Sequence, residues 1–114
     1  MTLHEILELT EATLACGDTH RDDEIKYGFA SDLMSDVLTV LEDDILMITG
    51  MSSVQAVRTA EMSDIRNILL VRNKKPSAAM IEIATELGIS LSYTSYSLFR
   101  ASGILFGAGL KPVY

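Results

Sequence analysis

Hydroxyls, a glycine and cations recur just before three helical patterns in the second half of the chain. The runs are Thr49-Gly50-Met51-Ser52-Ser53, Arg72-Asn73-Lys74-Lys75-Pro76-Ser77 and Thr94-Ser95-Tyr96-Ser97. If each run leaves a strand of one parallel sheet, all three meet at the edge formed by the strands' carboxyl ends. The helices that follow point N–H groups there. A carboxylate or phosphate of a small ligand suits such an edge, with Thr49, Gly50, Ser52, Ser53, Arg72, Lys74, Lys75, Ser77, Thr94 and Ser95 as candidate binding residues. Ser, Thr and Gly are also ordinary helix caps, so the pattern alone leaves a ligand site and plain capping both open.

Other groupings carry less chemistry. Cys16, Asp18, His20, Asp22 and Asp23 lie close together on one loop, but their spacing matches no closed zinc pattern, and the run reads as a solvated acidic loop beside a thiol. Asp32 and Asp36, four apart on an expected helix, would present paired carboxylates on a solvated face. His4 and His20 have no Ser or Cys placed beside them as nucleophile and base. Phosphoryl transfer needs a phosphate cradle, and no GxxxxGK[S/T] loop is present. The expectation is therefore no catalytic residue, no metal and no cofactor.

The elements that must position these residues follow from periodicity. Thr2 with Glu5 forms a capping-box pattern that opens a helix running to about Thr10. A short strand, Thr13 to Cys16, and a polar loop, Gly17 to Glu24, come next. Ile25, Tyr27 and Phe29 alternate with polar or small residues in a strand ending near Ser31. Ser31 would cap a helix from about Asp32 to Leu41, with Leu33, Val37, Leu38 and Leu41 facing the core. From Asp44 onward three apolar runs, Ile45 to Thr49, Ile68 to Val71 and Ile89 to Tyr93, each precede a helical pattern. Those helices are expected at about Ser53 to Met62, Ser77 to Leu87 (stopped by Gly88) and Ser97 to Phe106. The fold class is α/β: a mainly parallel or mixed sheet with helices on both faces, and strand-helix repeats in the C-terminal two thirds.

Composition bounds the function. At 114 residues, 48% of them hydrophobic and spread along the chain, one domain over 1–114 with a real core is expected. A net charge of −7 works against binding to nucleic acid, whose affinity comes mostly from cations. The uncharged stretch Ile45 to Val57 is too short to span a bilayer. The opening residues Thr2, His4, Glu5 and Glu8 resemble no export signal, and the lone Cys16 suits a reducing compartment, so a cytoplasmic location is expected.

Several segments together carry a resemblance. They are Gly28-Phe29-Ala30-Ser31-Asp32-Leu33-Met34-Ser35-Asp36-Val37-Leu38, Ile48-Thr49-Gly50, Arg58-Thr59-Ala60-Glu61, Lys74-Lys75-Pro76-Ser77 and Thr94-Ser95-Tyr96-Ser97-Leu98-Phe99. In this order they resemble the DRTGG domain family, which is itself similar to the N-terminal domain of HPr kinase/phosphorylase. The chain departs from the signature: Gly50-Met51-Ser52 and Val71-Arg72-Asn73 stand where the family name leads one to expect Asp-Arg and Thr-Gly-Gly. The resemblance implies a non-catalytic regulatory or protein-interaction module of the kind found beside CBS domains or in front of phosphotransacetylases and kinases. It further implies a place beside a redox or hydrogenase complex; a small anionic metabolite or nucleotide, if one binds, is expected at the three-loop edge with Arg72 and Lys74 contributing. The alternative it raises is a phosphotransfer enzyme component related to HPr kinase.

Partners follow from the last two helices. Ser77 to Leu87 carries only Glu82 and Glu86 as charges, and Ser97 to Phe106 only Arg100. Helices this apolar need cover on several faces, which predicts a homodimer or docking on a larger enzyme subunit.

Overall fold

The structure, a computed structural model, describes residues 1–114. Its elements run α1 (Leu3–Leu9), β1 (Thr13–Cys16), β2 (Tyr27–Ala30), α2 (Met34–Val37), β3 (Ile45–Thr49), α3 (Val54–Met62), β4 (Asn67–Leu70), α4 (Ala78–Leu87), β5 (Ser90–Tyr93), α5 (Leu98–Gly107) and β6 (Lys111–Pro112). The six strands form one sheet in the order β1-β5-β4-β3-β2-β6. β2 to β5 pair in parallel and β6 joins β2 in parallel, while β1 runs antiparallel to β5. The sheet is thus mixed, and mostly parallel as its strand-helix repeats predict. No helix is long and apolar enough to cross a membrane.

Every residue of β3 and β4 is buried, the mark of central parallel strands covered on both faces. Their side chains alternate between two cores. Ile45, Met47, Ile68 and Leu70 pack with Met34, Val57 and Met80 of α2, α3 and α4. Leu46, Ile48, Leu69 and Val71 pack with Leu3, Ile6 and Leu105 of α1 and α5. The caps also form as the residue types require. Thr2 and Glu5 make the full capping box, and Ser53, Ser77 and Ser97 accept from the N–H groups of Ala56, Met80 and Arg100. α4 stops at Gly88 in the left-handed region (φ 71°).

Three expectations are corrected. The helix expected over Asp32 to Leu41 is a single turn, and it leaves Leu33, Leu38 and Leu41 exposed, the last at 92%. One α-type bond, Leu38 N–H to Met34 O, is flanked by tighter bonds from Asp36 N–H to Leu33 O, Thr39 N–H to Asp36 O and Val40 N–H to Val37 O, so the helix does not propagate. Val37 faces the core as expected, joined there by Met34 and Val40 instead of Leu33, Leu38 and Leu41. Ser31 caps no helix; its Oγ accepts from the Leu33 N–H in a local turn. The two-residue β6 was not foreseen, being too short to show a period.

The loop from Gly17 to Glu24 is more anchored than a solvated run. It holds a 3-10 turn at Asp18–His20. The His20 ring bridges Asp23 Oδ2 (2.6 Å) and the Gly88 carbonyl (2.7 Å), and Asp23 connects through Asn67 to Ser90 inside the sheet. Gly17 enters the loop at φ 91°, and a Cβ there would lie 2.5 Å from Ser90 Cα. Pairing of β1 with β5 also slips in register between Leu14 and Cys16.

Two glycines test this packing with one substitution. Gly17→Ala meets both a left-handed backbone and the Ser90 backbone, so it should destabilise by at least ~2 kcal/mol. Gly103→Ala, in mid-α5 with open space around it, should stabilise by about 0.5–1 kcal/mol. Urea denaturation midpoints moving in opposite directions are the expected outcome.

Candidate functional site

The three runs do converge on one edge of the sheet, and backbone bonds lock them together. The Arg72 N–H donates to Tyr96 O (2.8 Å) and the Asn73 N–H to Thr94 O (2.8 Å), joining the loop after β4 to the loop after β5. Ser52 Oγ donates to Lys75 O (3.2 Å), joining the loop after β3 to the loop after β4. Arg72 and Asn73 both take left-handed backbone (φ 59° and 56°), which costs an L residue roughly 1–2 kcal/mol. Their two inter-loop bonds hold them there.

Most of the candidate hydroxyls are engaged in building this edge. Thr49 Oγ1 donates to Asp32 Oδ1 (3.1 Å) and accepts from the Met51 N–H, fully buried. Thr94 Oγ1 donates to Thr10 O (2.6 Å) and accepts from the Tyr96 N–H. Ser53 and Ser77 cap α3 and α4. Ser95 is exposed. The cations stand differently: no ion pair engages Arg72, Lys74 or Lys75, and all three are exposed. Lys75 Nζ lies 5.9 Å over the Tyr93 ring. What the edge leaves uncommitted is positive charge from Arg72 and Lys74 on the loop between β4 and α4, and the exposed Ser95 on the loop after β5.

Asp32 is the residue that sequence reasoning misplaced. It precedes α2, so it shares no helical face with Asp36. Its Oδ1 instead accepts from the Gly50 N–H (2.6 Å) as well as from Thr49, tying the end of β2 to the end of β3. The Arg72 guanidinium lies against the same Gly50: a Cβ there would sit 2.8 Å from Nη2. The approach marks where the guanidinium lies; a Cβ at 50 would displace the mobile end of the Arg72 side chain. No local pattern announces a bond between residues 17 or 18 apart.

At the far side of the edge, Tyr96 Oη donates to the Glu11 carboxylate, and the Arg100 guanidinium stacks 3.8 Å over the Tyr96 ring. The carboxylate acceptor pushes the Tyr96 phenol above its ordinary value. Next to the edge an apolar groove of about 420 Å³ runs between α5 and the β2–β6 margin, walled by Phe29, Ile48, Phe99, Phe106, Leu110 and Tyr114. Ser102 Oγ, on the α5 side of this groove, is buried without a hydrogen-bond partner. The apolar character of the Ser97 to Phe106 helix is plain in the sequence, but the C-terminal tail that forms the opposite wall has no period by which to place it.

A larger cavity, about 600 Å³, lies at the opposite edge and is lined by Asp23, Asp43, Asp44 and Asp64 with Lys26 and Arg66. It collects the amino ends of the strands, where helices arrive by their carbonyl ends, and its acidic lining disfavours anions. The Cys16 to Asp23 run gathers no metal site. Cys16 Sγ faces Ile89 O, His20 bridges as described and Asp18 pairs with Arg21; no group of three or more ligating side chains forms anywhere in the chain.

No family model matches the chain, and no curated protein matches it. Among solved structures it is similar to the CBS and DRTGG domains of the regulatory region of Clostridium perfringens pyrophosphatase, complexed with the activator diadenosine tetraphosphate. The TM-score is 0.75 at 16% identity, over 91% of this chain and 45% of that one. The chain thus spans less than half of its neighbour's length, and the likeness is one of fold. A DRTGG-type fold is consistent with that likeness and with the order of segments in the sequence.

Proposed function

We propose that this chain acts as one non-catalytic regulatory domain of DRTGG type, which senses a small phosphorylated or otherwise anionic ligand at the edge built by its three interlocked loops. The observation that carries this reading is the pair Arg72 and Lys74, exposed cations without ion-pair partners on a protein of net charge −7, on the loop that leads from β4 to α4. The solved neighbour, a regulatory region bound to a nucleotide activator, supports the same class of role. A phosphotransfer component is the competing reading. Against it stands the lack of any phosphate-cradle motif, and for it only the resemblance to HPr kinase/phosphorylase. A cytoplasmic location belongs to this proposal, and service beside a redox complex rests on the resemblance alone.

A thermal-shift series with diadenosine tetraphosphate, ATP, ADP and AMP tests the reading. A ligand that binds only the native state at 100 times its Kd adds ~2.7 kcal/mol, enough to raise the melting point of a chain this size by several degrees. The expected rise is lost in the Arg72→Ala/Lys74→Ala double variant. A rise that survives both substitutions would place the site elsewhere, and reproducible phosphate transfer from labelled ATP would favour the enzyme reading.

The same proposal includes self-association through α5. Phe99 and Phe106 are 89% and 66% exposed one heptad apart, and Tyr114 lies beside them at 81%. α4 turns out to be better covered, with Met80 and Ala84 buried and Ile81 and Ile83 half-buried. Light scattering behind size exclusion should give a dimer mass at tens of micromolar, and Phe106→Glu should give a monomer. A wild-type monomer would leave a larger enzyme subunit as the partner for this surface.

A further inference from the structure

We propose that the Asp32 carboxylate is a built-in competitor, seated where an anionic ligand's oxygen would bind, and that such a ligand enters this edge by displacing it. The inference rests on the reading above that an anion binds here. A backbone N–H and a hydroxyl directed at one oxygen, with a guanidinium beside them, are the donors that cradle phosphate and carboxylate groups. Gly50 N–H, Thr49 Oγ1 and Arg72 supply that set, and the oxygen now held by the first two is Asp32 Oδ1. Because Thr49 Oγ1 also accepts from the Met51 N–H, its single proton is left to donate to whichever anion occupies the seat.

Thr49 and Gly50 are buried and Asp32 is exposed, so an anion reaches the two donors only when Asp32 leaves them. A Cβ at Gly50 would lie 2.8 Å from Arg72 Nη2 and 3.4 Å from Asp32 Oδ1, so both charged groups face one bare glycine. They do not close into an ion pair, although they converge on that point. Asp32 itself is exposed and lies outside any helix or strand. The following turn, α2, has no side-chain cap bond and is four residues long, so little regular structure must break for Asp32 to swing away. An internal carboxylate at this position would make the site insensitive to weak anions. A ligand carrying more than one negative charge would outcompete it.

The test is titration of the full chain with inorganic pyrophosphate, followed by calorimetry and by the amide resonance of Gly50. Wild type, Asp32→Asn, Asp32→Ala and Arg72→Ala are compared at low ionic strength. Asp32→Asn keeps an acceptor oxygen for Gly50 and so guards against simple misfolding. Removing one like charge a few ångströms from the incoming anion should tighten binding about tenfold in both Asp32 variants. Asp32→Ala should do so while lowering the melting point of the free protein, and Arg72→Ala should weaken binding. Pyrophosphate should move the Gly50 amide of wild type in the direction that Asp32→Ala moves it unliganded. Asp32 variants that bind no tighter, with Arg72 still required, would overturn the competitor role and leave the anion site standing. Absence of binding in all four proteins would overturn both.

Discussion

The covering of β3 and β4 on both faces is the constraint from which the rest of the molecule follows. Two adjacent parallel strands with every residue buried need helices above and below, and a parallel pair can be joined only by a crossover long enough to hold one. Each crossover returns the chain to the same end of the sheet. The carboxyl ends of β2, β3, β4 and β5, and the amino ends of the helices after them, therefore have no choice but to gather at one edge. The meeting of polar loops at that edge is a consequence of apolar burial elsewhere.

That gathering creates competition for the polar groups that arrive there. Helix amino ends need caps, buried hydroxyls need partners, and the loops must be held against one another. Ser53, Ser77, Thr49 and Thr94 meet those needs, and so they are structural before they are anything else. Cations are exempt from this competition because helix amino ends do not need them. That is why Arg72 and Lys74 stand apart from the hydroxyls around them, even though the types Ser, Thr and Gly first drew attention to this edge.

Much of this was legible in the residues. Alternation at β2, apolar runs at β3, β4 and β5, the short run at β1 and period-3.6 patterns marked five of the strands and four of the helices, and Ser or Thr stood at each of those helix starts. The misses share a cause. The α2 segment stops after one turn and buries Met34 and Val40 beside the expected Val37, in contacts with residues distant in sequence that its own apolar pattern does not announce. Asp32 looked like a solvated helix residue because its partners, Thr49 and Gly50, are near it only after β2 and β3 pair. Arg72 and Asn73 adopt backbone that glycine usually supplies, so no glycine announced the turn.

The two margins of the sheet bear on how the protein meets copies of itself. At one margin the last strand ends in Pro112, which has no N–H to offer a newcomer; at the other, β1 is antiparallel and slips register between Leu14 and Cys16. Neither rim gives an incoming chain a regular ladder to extend. Runaway edge-to-edge growth into fibres is thereby discouraged by construction, and any assembly is steered toward side-chain packing on helical surfaces, where a twofold arrangement closes on itself and stops.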